Sequence, residues 1–137
     1  MKATNVVILS LVLGAAAFAE QTNKLEQAIY CRGNQVNVYG SSKNNTLSIT
    51  HLGQQGFKET PLPIVRVIPM FPVFSVSARK DQRPVDGVLV EADLSIQTET
   101  VPIHGGGMPA RLVVRTANLM GNTSVYTYTD LACTIQR

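Results

Sequence analysis

Alternation with a period of two runs through most of the chain from residue 35 onward. Val36 and Val38 alternate with Gln35, Asn37 and Tyr39, and Leu47 and Ile49 alternate with Thr46, Ser48 and Thr50. Between these runs lies Gly40-Ser41-Ser42-Lys43-Asn44-Asn45, rich in turn formers. Two alternating runs joined this way predict a β-hairpin. Ile64 to Ile68 and Val73 to Ala78 read as two further strands. Pro69 stops the first, and the polar run Arg79-Lys80-Asp81-Gln82-Arg83-Pro84 stops the second.

The clearest strand comes next. Val88, Val90, Ala92, Leu94 and Ile96 fall on one face, with Glu91, Asp93, Ser95 and Gln97 on the other; Leu89 alone departs from the rule. One wet face and one buried face is the habit of an antiparallel sheet. Leu112 to Thr116 and Val125 to Ile135 complete the set. In the last run Val125, Leu131, Cys133 and Ile135 share one parity, and Tyr126 and Tyr128 share the other. The one helix candidate is short, Asn23 to Tyr30, with Asn23 placed to cap it and Glu26 three residues on. It equally suits a lead into the first strand. About seven or eight strands with regular turn signals predict one all-β domain, a small antiparallel barrel or a sandwich.

The start of the chain has a different character. Lys2 precedes an apolar stretch from Val6 to Phe18, which closes on Ala17-Phe18-Ala19 before Glu20. A positive end, a short apolar core and small residues at the −3 and −1 positions make a cleavable export signal. The apolar stretch falls short of the roughly 20 residues of a membrane-spanning helix. The reading is a signal peptide over 1–19 and a single exported domain over 20–137, periplasmic or secreted, with no transmembrane segment once the signal is removed.

Export changes the meaning of the two cysteines. An oxidising compartment favours a disulfide, and Cys31 and Cys133 allow one intramolecular pairing. It would tie the first strand to the last. Two cysteines this far apart, with only His51 and His104 to assist, lack the spacing of a zinc site, so no metal or other cofactor is expected. The net charge of +3 comes from scattered Lys and Arg, which argues solubility and no nucleic-acid partner.

Candidate chemistry is sparse. His104-Gly105-Gly106-Gly107 resembles an oxyanion-hole loop, but the nucleophile elbow G-x-S-x-G that must accompany it is missing. It reads as a flexible loop. His51 closes a strand on an apolar parity and reads as structural. Glu91 and Asp93 sit two apart on one strand face, roughly 7 Å along the strand, within the range glycosidases use; a solvated face explains them equally. Asn44-Asn45-Thr46 and Asn122-Thr123-Ser124 match glycosylation sequons and also read as turns.

Two segments suit a binding surface. Met70, Phe71 and Phe74 lie around two prolines, which oppose a central strand position. Arg79, Lys80 and Arg83 form a cationic loop suited to an anionic surface. The functional expectation is a non-enzymatic exported domain that binds another envelope or secreted protein, or a surface. The alternatives are a barrel holding an apolar small molecule, and a small glycan-acting hydrolase built on Glu91 and Asp93.

Overall fold

The computed structural model describes residues 22–52, 60–85, 87–98 and 107–136. The export signal expected over 1–19 and the loop glycines 105 and 106 with His104 lie outside the described residues.

Eight strands close into one antiparallel barrel in which each strand pairs with its sequence neighbours and the last returns to the first. They are β1 (Ala28–Arg32), β2 (Val36–Ser41), β3 (Thr46–His51), β4 (Thr60–Pro69), β5 (Val73–Gln82), β6 (Val88–Gln97), β7 (Met108–Asn118) and β8 (Thr123–Gln136). Of the two architectures left open by periodicity, the barrel is the one formed. Closure pairs the first strand with the last and so removes most of the edge that an open meander would leave.

No helix occurs among the described residues, so the helix candidate at Asn23–Tyr30 is not formed there. Its end belongs to β1 instead, where Ile29 and Cys31 are buried and Tyr30 and Arg32 exposed. Its start lies across one rim of the barrel. There the Leu25 amide donates to Asn45 Oδ1 and Asn45 Nδ2 donates to the Asn23 carbonyl, both at 2.8 Å. Asn45 adopts a positive φ of 56°, a conformation asparagine tolerates in turns. The tether drives Leu25, fully buried, over Gly40, where a Cβ would stand 2.9 Å from Leu25 Cδ2. The barrel is thus plugged at this lower rim.

The core is a single cluster of inward-facing side chains, with Leu47, Leu62, Val76, Leu94, Ile96 and Leu112 wholly buried at its centre. A barrel of eight strands is just wide enough to be filled by its own side chains. The outer wall is polar: Ser77, Arg79, Glu91, Asp93, Ser95 and Arg115 alternate with the buried positions of β5 to β7. That polarity is the reverse of a membrane-spanning barrel, whose outward band is apolar. No helix among the described residues is long and apolar enough to cross a membrane.

Cys31 and Cys133 form the disulfide. They are direct partners across the β1–β8 seam, with Cα atoms 4.0 Å apart and both side chains turned into the core. The bond therefore joins the two strands that are neighbours in space and most distant in sequence.

Two bulges adjust the wall. The β4–β5 register shifts between Ile64 and Arg66, which leaves Val65 and Arg66 both exposed. The β7–β8 register shifts between Ala110 and Leu112, whose partners are Leu131 and Tyr128. The extra residue on β8 flips its parity. Leu131 and Cys133 are buried, but the next inward residue is Tyr128, and Val125 faces solvent. The shared parity of Val125 with Leu131 and Cys133 therefore does not translate into a shared face.

Candidate functional site

The barrel wall is uneven in height. β1 to β3 have five or six residues each, whereas β4 to β8 have 10 to 14. β8 pairs with β1 only from Ala132 to Gln136, while its pairing with β7 begins at Thr123. The upper parts of β5, β6, β7 and β8 therefore rise past the short strands as a four-stranded ledge. Asp130 marks where the ledge leaves the barrel; its carboxylate accepts from the Asn34 amide in the β1–β2 turn at 2.8 Å.

One side of this ledge is an open strand edge. Among the described residues, Thr123–Thr129 of β8 has no neighbour on the side away from β7. The segment Thr123-Ser124-Val125-Tyr126-Thr127-Tyr128-Thr129 contains no charge and no proline. These are the two devices by which sheets usually block an exposed edge. Val125 and Tyr126 are exposed on it, and Tyr128 turns back into the barrel mouth. There the Tyr128 hydroxyl lies 3.4 Å from His51 Nε2, and the two rings meet edge to face. Desolvation lowers the His51 pKa and raises that of Tyr128, so both favour their neutral forms.

The tip of the ledge is apolar. Leu119 and Met120, 72% and 85% exposed, form the β7–β8 turn, and Val85, 88% exposed, sits in the neighbouring β5–β6 turn. Leu119 reaches within 3.7 Å of the Cβ position of Gly87, so the two turns touch. The β7–β8 turn is firmly built. Asn118 Oδ1 accepts from the amides of Met120 and Asn122 at 2.9 and 3.0 Å, and Gly121 supplies the positive φ the turn requires. A turn held in one conformation with two large apolar side chains in solvent is an unusual use of a position normally given to polar residues.

The β5 side of the ledge carries Arg79, Lys80 and Arg83. Arg83 forms a bidentate pair with Asp81 at 2.7 and 2.9 Å. Hydrogen bonds from Arg83 hold the Asp81 carboxyl at a pKa of about 2. Arg79 lies 3.6 Å from Glu91 and 3.9 Å from Asp81. Among the described residues Lys80 alone of the three has no carboxylate partner. The loop's field is therefore largely cancelled within itself.

Met70 and Phe71 lie at the opposite rim, in the turn between β4 and β5. Phe71 is 72% exposed and Met70 partly so, while Phe74 packs against the core. The structure thus separates Met70 and Phe71 from Arg79, Lys80 and Arg83 by the length of β5. Glu91 and Asp93 remain neighbours on the outer wall, but their oxygens are occupied. Asp93 accepts from Ser77 at 2.7 Å and from Arg115 at 2.8 Å, and Glu91 faces Arg79. Asn44 and Asn122 of the two sequons both lie exposed in turns.

Two features of the ledge escape a reading of periodicity. The apolar tip had a local signal, Leu119-Met120 directly before Gly121-Asn122, where large apolar residues occupy a turn. The open edge had none, because it depends on how far β1 extends beside β8. No family model, no curated protein sequence and no solved structure matches the chain.

Proposed function

We propose that the protein is a non-enzymatic binding module that holds a partner protein on its ledge. The partner adds an extended segment to the edge of β8, in the manner of strand addition, where main-chain hydrogen bonds supply affinity and alternate side chains supply selectivity. The observation that carries this reading is the uncharged run Thr123–Thr129 beside the apolar tip, which among the described residues has no strand partner on the side away from β7. Such an edge invites aggregation unless something pairs with it.

Other features favour the outside of the barrel over its interior. The inward faces are filled by one cluster of side chains, and the lower rim is plugged by Leu25. An apolar ligand would need that space. Glu91 and Asp93, the pair on which a hydrolase would rest, are engaged by arginines and a hydroxyl. An oxidising compartment fits the disulfide that closes the barrel, and with it an exported protein.

The test is site-specific photocrosslinking in the native cell. A photoreactive residue at Val125 should give a discrete protein adduct, and one at Ser95 on the paired outer wall should give none. Absence of an adduct from position 125, or the same adducts from both positions, would overturn the proposal.

A further inference from the structure

A second surface lies apart from the ledge, on the outside of the β1–β8 seam. Tyr30 and Tyr39 are direct partners across β1 and β2, and both point away from the core. Their rings lie 4.8 Å apart with a 35° tilt, and the residues are 45% and 38% exposed. They stand in an open groove of about 720 Å³, whose floor is the disulfide-stapled seam itself. The groove crosses from β3 to β8, with Arg32, Asn37, Thr50, Thr134 and Gln136 around the tyrosines.

Three properties of this groove constrain its ligand. The first is a pair of half-exposed tyrosine rings stacked on each other on neighbouring strands, whose outward surface suits a weakly apolar partner such as the C–H face of a pyranose ring. Tyrosines supply such contact area at low entropic cost. Interaction with the neighbouring Tyr39 phenol raises the Tyr30 pKa above its usual value. The second is the dense surround of hydroxyl and amide groups, which matches the alternating donors and acceptors of sugar hydroxyls. The third is charge. Arg32 is the one charged residue among those that line the groove, and among the described residues it has no carboxylate partner. A planar guanidinium is suited to bidentate recognition of a carboxylate.

We infer that this groove binds an oligosaccharide bearing a carboxylate, a uronic-acid chain, with Tyr30 and Tyr39 against a sugar face and Arg32 on the acid group. The site is independent of the ledge: it draws on β1, β2, β3 and the C-terminal half of β8, below the point where β8 loses its β1 partner.

Tyrosine fluorescence reads this directly, because the chain has no tryptophan and two of its four tyrosines line the groove. The intact protein is titrated with hexameric oligogalacturonate, hexameric oligomannuronate and, as a neutral control, cellohexaose. The expected result is saturable binding of at least one acidic hexamer, at least about tenfold tighter than cellohexaose. Arg32→Gln and Tyr39→Ala should each weaken it by about tenfold or more, in the range set by removing one anchor of a binding site. Both residues are on the surface, and the melting temperature confirms folding; if Tyr39→Ala does not fold, Tyr30→Ala and Arg32→Gln carry the test. Val125→Lys on the ledge should leave this binding unchanged, which separates it from the partner site. Failure of both acidic hexamers to bind, equal affinity for cellohexaose, or indifference to both groove substitutions would overturn the inference.

Discussion

Cys31→Ala combined with Cys133→Ala isolates what holds the barrel shut. Every other strand pair joins neighbours in sequence and is closed by a short connection, but the β1–β8 seam joins residues 102 apart. Without the bond, folding must close a loop of that length by strand pairing alone. For a loop of roughly 100 residues, the chain-entropy account gives about 4.7 kcal/mol, and native disulfides of small domains are worth about 2–5 kcal/mol in practice. The two sulfur atoms also fill core volume, since both residues are buried. Their loss adds about 1 kcal/mol each, by analogy with removal of a single buried methyl group. The double substitution should therefore cost about 4–7 kcal/mol, against a total of about 5–15 kcal/mol for a domain of ordinary stability. Reduction of the wild type, which keeps the sulfur atoms in the core, should cost about 2 kcal/mol less than the double substitution. Urea unfolding followed by circular dichroism is the assay. With a slope of about 1–3 kcal/mol/M, tether loss alone lowers the midpoint by about 0.7 M or more. The slope should also rise, because an unfolded chain freed of its crosslink exposes more surface. An unchanged midpoint and slope on reduction, or two reactive thiols in the unreduced native protein, would refute the reasoning.

Four more outcomes follow from particular contacts. Gly40→Ala should destabilise by about 1–3 kcal/mol, because its Cβ would meet Leu25 Cδ2 at 2.9 Å and Ile29 Cβ at 3.2 Å; a thermal melt measures it, and Leu25→Ala should recover part of the loss. Gly107→Ala should be at least as harmful by the same melt, since the new atom would stand 2.6 Å from Ala132 Cβ and 2.9 Å from its backbone carbonyl carbon. Phe71→Ala should change stability by less than about 0.5 kcal/mol, whereas Phe74→Ala, which packs on the core, should cost about 2 kcal/mol or more; equal effects in urea unfolding would contradict the placement. His51 has a folded pKa below its usual 6.5, so the unfolded chain takes up the proton first. Its contribution is present above pH 6.5 and is lost as the pH falls through the folded value, and stability measured from pH 8 to 5 should lose part of its slope in His51→Gln.

Local period and turn chemistry carried the fold class a long way. β6 was readable in extent and, from Val90 to Gln97, in facing, because polar wall and apolar core alternate there with no bulge; at its upper end the rule fails, with Val88 exposed and Leu89 buried. The hairpin β2–β3 and the disulfide followed equally from patterns that involve few residues. β1 was obscured by a helix-start signature at Asn23 and Glu26. That signature describes local preference, while Asn45, 20 residues beyond Leu25, ties the segment across the rim instead. Tertiary contacts override short propensities of this kind. β8 was misread in its facing, and the reason is general: parity propagates only as far as the pairing is regular, and one bulge inverts everything beyond it.

The ledge was hidden for a deeper reason. A strand's sequence shows which of its faces is wet but not how many of its residues have a neighbour on each side. In β8 the inward parity continues through Tyr128 to Tyr126, yet Tyr128 is buried and Tyr126 half exposed, because the opposite wall ends at His51 and Arg32. Burial along that strand therefore falls off with height and not with residue type. The same geometry makes the residues past Asp130 available to a partner while the residues before it hold the seam. A substitution at an exposed residue of Thr123–Thr127 should consequently alter partner binding with little effect on stability, and one at the buried Cys133 should do the reverse. If Thr127→Lys proved as destabilising as Cys133→Ala, the upper half of β8 would be part of the structural wall, and the ledge would lose its open edge.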